Sequence, residues 1–81
     1  DKDGLEADAV VHIFGGRWGA IEIKLGSQEA IDAGARTLLA LRDKVSVEMK
    51  PPSFLAVVTA AGYAYTRPDG VHVIPIGCLR D

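Results

Sequence analysis

The chain has 81 residues, enough for one domain at most and close to the size below which an apolar core alone rarely suffices. It is 48% hydrophobic and 25% charged, with a formal net charge of −2. That is a globular composition with no overall electrostatic attraction for nucleic acid. No apolar run approaches the roughly 20 residues that span a bilayer. The single cysteine, Cys78, has no internal disulfide partner, which fits a reducing, cytoplasmic setting.

In chain order, "ADAVVHIF" (7–14) is rich in Val and Ile and reads as a strand. "GGR" (15–17) is a turn signal, and "WGAIEIKL" (18–25) reads as a second strand, so 7–25 forms a hairpin. Ser27 suits a helix N-cap and Glu29 the first turn, where the helix dipole favours an acid. Ile31, Ala35, Leu38 and Leu41 keep a helical period through Lys44, with Asp32, Arg36 and Asp43 on the wet side. Gly34 weakens such a helix by about 1 kcal/mol relative to Ala and so marks close packing on the sheet. Pro51 and Pro52 form a connector. "FLAVVTA" (54–60) is nearly continuous in apolar residues, as in a central parallel strand covered on both faces. "YAYT" and "VHVIPI" flank "RPDG" (67–70), a turn signature that predicts a second hairpin. The expected architecture is α/β, a mixed sheet of about four or five strands with one main helix packed on it.

Charged residues interrupt the apolar pattern in two pairs, Glu6 with Asp8 and Glu22 with Lys24. Residues two apart in a strand share a face, so each pair is internally aligned. Whether the pairs meet depends on the hairpin loop. A two-residue Gly15-Gly16 loop would place Asp8 among Ile21 and Ile23. A three-residue loop at 15–17 would pair Phe14 with Trp18, set Asp8 opposite Lys24, and gather the charges on one wet face. Ala9, Val11 and Ile13 would then join Ile21, Ile23 and Leu25 in a clean apolar face, and the pattern favours this register. An Asp and a Glu beside a Lys offer oxygen ligands for Mg²⁺, with the Ile23 carbonyl between the two side chains as a further ligand. The lysine would assist an attacking water or offset charge. A solvated strand face with weak ion pairs is the alternative that spacing alone leaves open.

Asp8, then Glu22-Ile23-Lys24 after thirteen intervening residues, resembles the PD-(D/E)xK nuclease signature. Over longer stretches, "LEADAVVHIFGGRWGAIEIKLG" and "PSFLAVVTAAGYAYTRPDGVHVIPIGCL" resemble the C-terminal, nuclease-like domain of a family of bacterial and archaeal AAA-type ATPases. The resemblance covers nearly the whole chain and implies a restriction-endonuclease-like core, with an ATPase module upstream in a longer protein. It implies that Asp8 and Glu22 are metal ligands for Mg²⁺ or Mn²⁺, that Lys24 is the catalytic lysine, and that Glu6 is an accessory acid. It also implies DNA as a partner. The residue before Asp8 is Ala7, not the proline of the motif's name. Domains of this fold also serve as inactive binding or scaffolding modules, for protein interaction or self-association.

The remaining candidates have plainer readings. His12 and His72 fall on strands, and Cys78 has no histidine near it in sequence. Tyr63 and Tyr65 could stack on bases, Arg67 could touch phosphate, and Trp18 should pack beside the charged face. "FGGRWG" lacks the G-x-x-x-x-G-K-[ST] pattern of a phosphate loop, so no ATP site is expected here.

Overall fold

A computed structural model describes residues 8–45 and 50–79. Two glycines set the first hairpin. Gly15 and Gly16 take φ of 82° and 79°, a left-handed conformation open to residues without a Cβ. With Phe14 they form a short 3₁₀ turn, Phe14–Gly16, between β1 (Ala9–Ile13) and β2 (Arg17–Ile23). The loop therefore has three residues, as expected, but begins one residue earlier. β1 pairs antiparallel with β2 as Ala9↔Ile21, Val11↔Gly19 and Ile13↔Arg17. The parity of the expected register holds, and its partners shift by two.

After β2 comes α1 (Gln28–Val45), whose buried positions are Gly34, Ala35, Leu38 and Leu41. Its first backbone bonds run from the Ala30 and Ile31 N–H groups to the Ser27 carbonyl. The helix returns the chain to β3 (Phe54–Thr59), parallel to β2. β4 (Tyr65–Thr66) and β5 (His72–Pro75) form the second hairpin, with β5 parallel to β3. The sheet order is β1-β2-β3-β5-β4, and the fold is an α/β layer pair with a mixed five-stranded sheet and one main helix. The "RPDG" turn closes by a bond from the Gly70 N–H to the Arg67 carbonyl at 2.9 Å, and the Asp69 carboxylate accepts from the Val71 N–H at 3.1 Å. Arg67 then ties this turn to the helix by bonding Asp32 as well as Asp69. That bond first, and Gln28 after it, hold the Asp32 carboxyl below its ordinary pKa.

β3 is central and buried from Leu55 through Thr59. Its partners fix the two sides of the sheet. Ala20 lies beside Leu55 and Glu22 beside Val57, and Val57 lies beside Val73. Trp18, Ala20, Leu55 and Val57 meet Ala35, Leu38 and Leu41 in one apolar cluster, so the helix covers this side. The expectation of a wet charged face with the core on the opposite side is therefore corrected. Glu22 shares the helix side with Trp18 and Ala20. The reason is long-range. Trp18 and Ala20 join the apolar residues of β3 and β5 in a broader platform than the hairpin alone offers.

On the other side, Gly19 pairs with Phe54. A Cβ at Gly19 would overlap Cε1 of the Phe54 ring, so the ring lies over this glycine. Gly19→Ala should push the ring off the sheet and cost about 1–3 kcal/mol, as overpacking does. Urea denaturation checks this, and an unchanged midpoint would show that the ring is not seated there.

Candidate functional site

The end of the first hairpin carries the charged residues. One step beyond the pair Ala9↔Ile21, the register sets Asp8 across from Glu22 rather than Lys24. The two acids brace each other's backbone. The Asp8 N–H donates to Glu22 Oε2 at 3.1 Å. The Ile23 N–H donates to Asp8 Oδ2 at 2.7 Å. These are charge-assisted bonds, stronger than neutral ones, and they continue the ladder with side chains where β1 has ended. Each carboxylate keeps its other oxygen. Asp8 Oδ1 has no hydrogen-bond partner among the described residues, and Glu22 Oε1 lies 4.0 Å from Lys24 Nζ.

Burial differs sharply between the partners. Glu22 is only 6% exposed, whereas the side chain of Lys24 is 35% exposed. Lys24 thus faces Glu22 rather than Asp8, because the register shift moves Asp8 away from it. Burial raises the Glu22 pKa above its ordinary value, and the nearby Asp8 charge adds to this. The Asp8 N–H bond and the Lys24 charge oppose it without cancelling it.

The backbone places a third oxygen here. The Lys24 N–H donates to the Val58 carbonyl of β3 at 2.9 Å. In a planar trans peptide the C=O points opposite to the N–H, and there is no cis peptide among the described residues. The Ile23 carbonyl therefore points away from β3, to the side of β2 where Asp8 lies. Among the described residues no three His, Cys, Asp or Glu side chains cluster; a cation held by Asp8 and Glu22 would take the Ile23 carbonyl or water as a further ligand. Two carboxylates and a carbonyl fit a small hard cation that keeps several waters. Glu6 lies outside the described residues.

The other candidates stand apart from this group. Trp18 is buried in the core, and its indole N–H donates to the Lys50 carbonyl at 2.8 Å. The guanidinium of Arg67 is occupied by Asp32 and Asp69. Thr66 Oγ1 and His72 Nδ1 share a hydrogen bond at 2.9 Å, and His12 is exposed on β1. Tyr63 is 91% exposed, and Cys78 is a free, exposed thiol. Among the described residues no helix is long and apolar enough to cross a membrane. Sequence reasoning did not anticipate the mutual backbone bonds of Asp8 and Glu22. The equal parity of positions 8 and 22 was the signal, but the loop boundary that brings them opposite lies in glycine conformations.

Comparison of the chain with known protein families, with curated proteins and with solved structures finds no match.

The raised Glu22 pKa has a stability consequence. Its folded-state value lies above the unfolded one, so the folded protein binds this proton more tightly. The favourable contribution is complete below the unfolded value near 4.5 and is lost as pH rises through the folded value. Glu22→Gln should therefore gain stability relative to the parent as pH rises from about 4 to 7. Urea denaturation of both proteins across that range checks it, and a pH-independent difference would contradict the raised pKa.

Proposed function

We propose that the chain is a restriction-endonuclease-like, PD-(D/E)xK-type domain acting on DNA within a longer AAA-type ATPase, in a reducing, cytoplasmic setting. The observation that carries this reading is the convergence of Asp8, Glu22 and the Ile23 carbonyl on one side of β2, with the Lys24 amine 4.0 Å from Glu22. Asp8 and Glu22 with the Ile23 carbonyl would hold Mg²⁺ or Mn²⁺, which when bound supplies charge at the phosphate and a lowered pKa for its water. Asp8 and Glu22 are held ready for this by the backbone bonds that fix one oxygen of each. Lys24, on the solvent side of Glu22, would donate to the attacking water or to a phosphate oxygen, orienting the one and offsetting charge on the other. Glu22, buried beside the exposed and like-charged Asp8, also has a reason to bind a cation, since a positive ion relieves the repulsion between the two acids.

A second reading is an inactive module for protein interaction or self-association. It is favoured by the side of the sheet facing away from α1, where Val11 is 38% and Ile23 48% exposed. Exposed apolar surface of this kind marks interaction sites when it is contiguous.

Mn²⁺ titration by calorimetry, on the parent and on Asp8→Ala, separates the readings. Saturable binding that the mutation abolishes is expected for the metal site, together with Mn²⁺-dependent cleavage of DNA. DNA affinity that survives Asp8→Ala and falls with salt would favour binding without cleavage. Neither metal nor DNA binding, with concentration-dependent self-association, would overturn the nuclease reading.

A further inference from the structure

We infer that Gly34 is a positioning residue, a notch in α1 that seats the stem of Lys24 and so holds its amine beside Glu22. The inference rests on the reading of Lys24 as the catalytic lysine, and its test does not require cleavage. Gly34 lies in the interior of α1 and is buried. A Cβ built there would stand 3.0 Å from Lys24 Cγ and 3.5 Å from Lys24 Cε. Two carbons of one side chain border the same missing atom, so the lysine stem runs along the helix rather than away from it. The remaining neighbour, Val57 Cγ2, lies at an ordinary contact distance of 3.4 Å.

Glycine is the least favourable residue but proline for a helix interior, and Gly34 has no positive φ that would require it. What favours it is space, since with a Cβ here the lysine stem would have to give by a few tenths of an ångström. Ala35, next along the chain, is fully buried and carries its methyl. The small residue thus coincides with a place where the helix meets the lysine stem. Long charged side chains bury their carbon stems along packed surface and present the head to water. Here the notch fixes where that head emerges, 4.0 Å from Glu22 Oε1. A methyl at position 34 would displace the flexible stem outward and carry the amine from the acids.

Competitive acetylation with limiting anhydride, read by mass spectrometry, measures this directly. Gly34→Ala should raise the labelling of Lys24 several-fold while leaving Lys44, on the same helix, unchanged. Unchanged Lys24 labelling in the folded variant would overturn the inference. A thermal cycle provides the second measurement. In a Lys24→Ala background, Gly34→Ala should raise Tm by about 4–8 °C, since the helix gains an alanine and nothing obstructs it. With Lys24 present the gain should be smaller or absent. Equal gains in both backgrounds would overturn the notch, as would failure of the double variant to fold, which would locate the clash at Val57. Mn²⁺-dependent cleavage is scored separately. Shifted labelling in a protein that never cleaves DNA would refute the catalytic reading of Lys24 and leave the notch standing. Unchanged labelling would refute the notch whatever the cleavage shows.

Discussion

The parallel pairing of β2 with β3 decides which side of the sheet becomes core. It lays Ala20 beside Leu55 and Glu22 beside Val57, so the apolar residues of the two strands form one platform. The helix that joins the strands settles on that platform through Ala35, Leu38 and Leu41. Burying this surface is the main favourable contribution to such a small fold. Everything about the charged residues follows from it. Glu22 is drawn under the layer because its strand neighbours Trp18 and Ala20 belong there.

A buried carboxylate needs compensation, since losing water without partners is costly. Glu22 finds it in the Asp8 N–H and in Lys24, and Asp8 returns a bond to the Ile23 N–H. The compensation is partial, as the upward displacement of the Glu22 pKa records. Two acids held close, with Asp8 Oδ1 unbonded among the described residues and Glu22 Oε1 facing Lys24, keep part of that cost. A plain hairpin end would be served as well by neutral side chains. The proposed cation-binding role would account for that cost, since a positive ion at the two acids would offset it.

Much of the fold was legible in the sequence because its signals are local. The Val and Ile runs, the period of Ile31, Ala35, Leu38 and Leu41, and the "RPDG" turn each act within a few residues. Sequence also aligned Asp8, Glu22 and Lys24 on one face, through strand parity. It misplaced the loop by one residue, since both Gly15 and Gly16 adopt positive φ and either boundary satisfies the composition. It also chose the wrong side as core. The uniform apolar set of Ala9, Val11, Ile13, Ile21 and Ile23 is cleaner within the hairpin, yet the helix packs on the side where β3 and β5 add Leu55, Val57 and Val73. No hairpin-level pattern contains that information. β4 is shorter than "YAYT" suggested, with pairing confined to Tyr65 and Thr66.

The same parallel pairing shapes how the chain must fold. The partners Gly19 and Phe54 are separated by 35 positions, while the two hairpins close over short turns. The hairpins can form early, but neither can bury its apolar side alone. Closing the long loop carries an entropy cost before any parallel contact rewards it. α1 shortens that loop by ordering most of it, and the bonds from Trp18 to Lys50 and from the Ser53 N–H to the Trp18 carbonyl fasten the far end. Trp18 therefore sits where the crossover closes, at the strand pairing of greatest sequence separation in the sheet, the one whose closure carries the largest entropy cost.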